Sequence, residues 1–188
     1  MKRFLSLLVF ASVLLFSAAP VEAQSWVMEV MQSNTDSLVA NLESEMEGAE
    51  GKSAPSFQFQ PLGKEKAETL SDYAGQTVVV NFWNTNCSGC KDQFPDLSKL
   101  QEAYADQGLN VIYISSQDES VVRRFWEEKN IAGSVARMSR QDLSRPFQFV
   151  ATPSAFVVGP SGKVRETWLG PETFEQLEAR IKPYLTSR

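Results

Sequence analysis

The sequence has no histidine, only two cysteines and no excess of positive charge. Each shortage excludes something. A zinc site takes three or four Cys or His ligands, and this chain offers two in all. Covalent haem attachment needs a histidine after the second cysteine, and Lys91 stands there instead. A formal net charge of −5 gives no electrostatic reason to bind nucleic acid or an anionic membrane. Beyond the first twenty residues no apolar run is long enough to span a bilayer.

What is present describes a globular chain with an export leader. At 188 residues, with 43% hydrophobic and 22% charged residues, one domain plus appendages is expected. Such a chain buries a core without disulfide staples. Lys2 and Arg3 precede a 16-residue apolar run, Phe4 to Ala19, broken only by serines. Pro20 and then Val21-Glu22-Ala23 place small residues at a cleavage site after Ala23. This predicts a signal peptide over 1–23, with an uncleaved anchor as the alternative. The run is shorter than a spanning helix needs, about 20 residues, so the mature protein is expected to be free of the membrane. No cysteine lies near residue 23 to be lipidated. Loss of Lys2, Arg3 and Glu22 takes the net charge from −5 to −6.

The cysteines, Cys87 and Cys90, lie three positions apart. A disulfide between them closes almost no loop, so it adds little stability. With staple, zinc and haem all disfavoured, redox chemistry is the use that remains. Thr77 to Trp83 is a continuous β-prone run, as for a strand buried on both faces. Phe94, Leu97, Leu100 and Tyr104 then recur at helical spacing. The Cys pair thus falls at a strand-to-helix junction. There the helix N-terminus favours a Cys87 thiolate, and Cys90 is one turn away to resolve a mixed disulfide.

The rest of the chain reads as an α/β domain. A helix is expected over 35–47, from the spacing of Leu38, Leu42 and Met46, as a packing arm or tether within 24–50. The compact domain then covers 51–188. Strands are expected over 56–60, 109–114, 154–158 and 163–168. A helix over 118–129 carries Val121, Val122, Phe125 and Trp126 on its apolar side. A last helix turns Phe174, Leu177, Ile181 and Leu185 inward.

The stretch Phe82-Trp83-Asn84-Thr85-Asn86-Cys87-Ser88-Gly89-Cys90-Lys91 resembles the active-site segment of thioredoxins. Ala54-Pro55-Ser56-Phe57, Leu70 to Gly75, Phe94-Pro95, Thr152-Pro153 and Gly162-Lys163-Val164 narrow the likeness to the TlpA/ResA branch of exported thioredoxin-like proteins. The resemblance implies a thioredoxin fold, a central mixed sheet flanked by helices. It implies Cys87 as nucleophile and Cys90 as resolving thiol. Pro153 would be a cis-proline facing the pair, with Thr152 offering backbone hydrogen bonds to an extended substrate. Trp83 would support the site from the core, and Pro95 would kink the helix.

Four departures stand out. Asn81 occupies the place of a buried acid common in thioredoxins, and Gln93 the place of a glutamate common in the TlpA/ResA branch. Neither amide can act as a carboxylate base, so transfer of the Cys90 proton is expected to be slower or to run through water. Asn86 replaces the usual tryptophan. Ser88 and Gly89 fill the motif, with Gly89 in place of a frequent proline and expected to add backbone freedom.

The activity implied is a periplasmic or otherwise extracytoplasmic disulfide reductase. Its partners would be protein thiols and disulfides, in cytochrome c maturation or metal-site assembly, and a membrane thiol donor of electrons. No cofactor other than the Cys87–Cys90 disulfide, no metal and no nucleic acid is expected. A thiol oxidase and a binding module that docks partners through 35–47 are the rivals. A peroxiredoxin needs Pro-x-x-x-Thr-x-x-Cys, which the residues before Cys87 do not supply.

Overall fold

A computed structural model describes residues 21–139, 141–142 and 151–186. The chain forms two compact units, one ending at Leu42 and one beginning at Glu43. What is described of the first unit is one helix, α1 (Val21–Glu47), whose last residues belong to the second. This helix is longer than the expected 35–47. Ser33 to Ser37 look like cap residues, but Thr35 and Ser37 donate their hydroxyls to the carbonyls of Met31 and Ser33, 2.9 Å in each case. That back-bonding accommodates them inside a helix. No glycine or proline interrupts 21–47. Of the expected stripe, Met46 is buried and Leu38 is exposed.

The second unit is a mixed sheet with helices. Its strands are β1 (Gln58–Pro61), β2 (Glu68–Thr69), β3 (Thr77–Phe82), β4 (Leu109–Ser115), β5 (Ser134–Arg137), β6 (Ser154–Val158) and β7 (Val164–Leu169). They lie in the order β2-β1-β5-β4-β3-β6-β7. The helices are α2 (Ser88–Tyr104), α3 (Glu119–Glu127) and α4 (Phe174–Ile181). All six residues of β3 are buried, as its unbroken β-prone run predicts. It pairs in parallel with β4 and antiparallel with β6. A parallel neighbour demands a crossover, and α2 supplies it.

The alternation of β3 separates two cores. Val79 and Trp83 face a cluster with Phe94, Leu97 and Leu100 of α2, Val122 of α3, and Leu177 and Ile181 of α4. Val78, Val80 and Phe82 face Phe57, Phe59 and Phe156, flanked by Leu70 and Tyr73. This is the expected thioredoxin architecture.

Three local readings differ. β2 and β5 have two and four residues, too short for a periodic signal. In α3, Val122 is buried but Val121 is 40% exposed. At about 100° per residue, Val121 lies roughly 90° from the centre of the stripe of Val122, Phe125 and Trp126. Finally α4 stops at Ile181, and Pro183 sits in a short 3-10 turn over Lys182–Tyr184 before the partly buried Leu185.

Candidate active site

The Cys pair sits where β3 hands over to α2. After Phe82 and Trp83 the chain leaves the sheet through Asn84, Thr85 and Asn86. Cys87 is the N-cap of α2, with extended backbone (φ −85°, ψ 110°), and its Sγ accepts a hydrogen bond from the Cys90 N–H at 3.1 Å. The two cysteines are joined in a disulfide of 2.03 Å. Their surroundings differ: Cys90 is 0% exposed, whereas Cys87 is half-buried and so open on one side. In the dithiol state the free N–H groups and positive end of α2 favour thiolate at Cys87.

Two prolines close over the residues between the cysteines. The Thr152–Pro153 peptide bond is cis. A Cβ placed on Gly89 would lie 3.4 Å from Cδ of Pro153 and 3.5 Å from Cδ of Pro171. Gly89 has ordinary helical conformation, so it does not use the backbone freedom expected for it, and a Cβ there would meet both rings at ordinary contact distance. Ser88 and Thr152 are exposed and Pro153 is buried.

Trp83 forms the floor. Its ring lies edge-on to Phe94 at 5.2 Å, with Phe125 at 5.2 Å and Trp126 at 5.9 Å. Such packing fixes the end of β3 under the loop. Pro95 lies inside α2, where it offers no N–H to the turn before it.

Asn81 and Gln93 meet behind the pair. Asn81 Nδ2 donates to Gln93 Oε1 at 3.3 Å, and both residues are buried. Asn81 Oδ1 and Gln93 Nε2 have no protein partner. Gln93 lies one turn beyond Cys90, on the same side of α2. Nearby Tyr113 is also buried, and burial pushes its phenol well above the ordinary range. The group therefore stays neutral at physiological pH.

Sequence reasoning missed two residues here. Asn84 Nδ2 donates to Thr152 Oγ1 at 2.9 Å, and Gln117 Oε1 accepts from the Thr85 N–H at 2.7 Å. These partners are 68 and 32 residues apart, so no local pattern announces them. The expected leader lies, up to residue 20, outside the described residues, as do residues 143–150.

Residues 51–167 match the AhpC/TSA family. The chain belongs to that family. Among AhpC/TSA-like relatives, the thiol-disulfide oxidoreductase ResA of Bacillus thuringiensis (strain Al Hakam) is 31% identical over 133 residues, 70% of this chain and 76% of that protein. The thioredoxin-like protein YneN of Bacillus subtilis is 26% identical over 136 residues, 70% of this chain and 78% of its own. Among solved structures, the thioredoxin domain of a thiol-disulfide oxidoreductase from Bacteroides vulgatus superposes with a TM-score of 0.63 at 26% identity, covering 70% of this chain and 96% of that one. This AhpC/TSA member is thus a thiol–disulfide oxidoreductase of ResA type. Among the described residues no helix is long and apolar enough to cross a membrane.

Proposed function

We propose that this protein is an exported disulfide reductase whose dithiol is Cys87-Ser88-Gly89-Cys90. The observation that carries this reading is the inequality of the two sulfurs. Cys87 is reachable and caps a helix, while Cys90 is sealed behind it. In the reaction, the Cys87 thiolate attacks a substrate disulfide, forms a mixed disulfide and releases one substrate thiolate. The Cys90 thiolate then attacks Cys87 Sγ and releases the second. Two electrons pass to the substrate, and the protein is left with the Cys87–Cys90 disulfide. Thr152 and the cis-proline Pro153 hold an extended substrate strand beside Cys87.

The leader pattern over 1–23 supports an extracytoplasmic location, with 24–50 as an arm and 51–188 as the working domain. Disulfides formed outside the cytosol persist, so a reductase there needs electrons delivered to it. A membrane thiol donor fits that need. Substrates in cytochrome c maturation or metal-site assembly fit the resemblance to the TlpA/ResA branch. Ser88 and Gly89 add no charge to stabilise the thiolate further, which favours a reducing pair. No cofactor besides the disulfide enters the reaction.

Two measurements test this. Cys90→Ser should accumulate a mixed disulfide through Cys87, and Cys87→Ser should capture nothing. Equilibration with glutathione should give a potential near the ~−270 mV of thioredoxin. A value near the ~−120 mV of DsbA would make the protein an oxidase instead.

A further inference from the structure

The loop that carries Cys87 is held from both sides by side chains from distant parts of the fold. On one side, Asn84 Nδ2 donates to Thr152 Oγ1 at 2.9 Å. The other end of the same amide, Oδ1, accepts from the Asn86 N–H at 2.9 Å, and the Asn84 carbonyl accepts from the Cys87 N–H at 3.2 Å. On the other side, Gln117 accepts from the Thr85 N–H at 2.7 Å and donates from Nε2 to Thr85 Oγ1 at 2.9 Å. Gln117 is itself held, its carbonyl accepting from Arg137 Nε at 2.8 Å.

The sheet explains how Asn84 and Thr152 meet. The β3–β6 ladder ends with Phe82 opposite Ser154. Asn84 lies two residues past that pair and Thr152 two residues before it. They face each other across the open end of the ladder, where no backbone pairing joins the strands. The side-chain bond carries the connection one step further, to the residues that flank Cys87 and Pro153.

We propose that Asn84 is a positioning residue, which locks the edge at Thr152 to the loop before Cys87, so that a docked peptide and the attacking sulfur meet in one fixed register. The reading rests on the proposed reductase function and deepens it. The ligand is an extended peptide segment that carries the disulfide. Both partners of the bond are within reach of water, so it adds little to stability. Its value lies in orientation, which counts in the rate because a misplaced strand must be re-aligned before the sulfur atoms meet.

The test uses full-length protein reduced with dithiothreitol and freed of it. The probe is a ten-residue peptide with one internal disulfide, followed in single turnovers. Asn84→Ala and Thr152→Val should each lower the single-turnover second-order rate constant about five- to ten-fold, the scale of one lost hydrogen bond. The loss should fall mainly on the rate at saturating peptide, with the half-saturating concentration little changed, and the double variant should be no worse than the worse single one. Losses that multiply in the double variant overturn the proposal. A wild-type protein that leaves the peptide oxidised overturns the reductase reading, and this one with it.

Discussion

Two polar clusters flank the Cys pair, and they are built in opposite ways. The outer one, Asn84, Thr85, Asn86, Gln117 and Thr152, lies at or near the surface and uses both ends of the Asn84 and Gln117 amides. The inner one, Asn81 with Gln93, lies in the core and leaves a donor and an acceptor without a protein partner. A surface hydrogen bond left unmade is taken over by water. A buried one left unmade costs about 1–3 kcal/mol. The fold therefore accepts a cost inside and spends ordered contacts outside. The outer cluster orients, and the inner one keeps the space behind Cys90 polar without an ionisable carboxyl, because an amide does not titrate.

The comparison can be broken from either side. The largest effect is expected from Asn81→Asp, which puts a carboxyl where the neutral amide stands. Burial raises its pKa in the folded state above the unfolded value of about 3.9. The folded protein then binds the proton more tightly, so the variant comes closest to wild type below the unfolded pKa. It loses ground as pH rises through the folded pKa, reaching a deficit of about 2–4 kcal/mol at neutral pH. Urea unfolding of both proteins at several pH values gives the difference; a deficit independent of pH would count against a neutral inner cluster. Next comes Gln117→Ala, which removes both hydrogen bonds to Thr85 and should cost about 1–2 kcal/mol by the same measurement. A smaller change is expected from Asn81→Leu combined with Gln93→Leu. Replacing both partners by apolar groups should stay within about 1 kcal/mol of wild type, whereas Asn81→Leu alone should cost about 2 kcal/mol. The smallest is Gly89→Ala. Its methyl meets Pro153 and Pro171 at ordinary contact distances, 3.4–3.5 Å, so thermal unfolding should barely move. A large drop would show the two rings to be closer in solution.

The parts of the molecule that sequence reasoning reached are those with a dense local signal. Thr77 to Trp83 declares a buried strand, and the Cys pair at its end marks a strand-to-helix junction. Phe94, Leu97 and Leu100 give the buried face of α2. β5 was not legible because Ser134–Arg137 is held by β4 and β1, not by a pattern of its own. The start of α1 was misread because Ser33, Thr35 and Ser37 can cap or back-bond, and composition does not say which. At the site, Asn81 and Gln93 drew notice as departures from a pattern, but their mutual hydrogen bond is a product of the fold. Asn84 and Gln117 carried no signal at all. Each acts on a residue brought near by strand pairing, and uncharged amides look the same in any surface loop.

The central claim is that Cys87 attacks and Cys90 resolves, and one measurement reaches it directly. Reduced protein is treated briefly with iodoacetamide across a pH series, and each cysteine is quantified by mass spectrometry. The account predicts that Cys87 is alkylated first, with a midpoint below the ordinary thiol value of about 8.5, while Cys90 stays protected. Equal labelling of the two, or a Cys87 midpoint at or above that value, would contradict it.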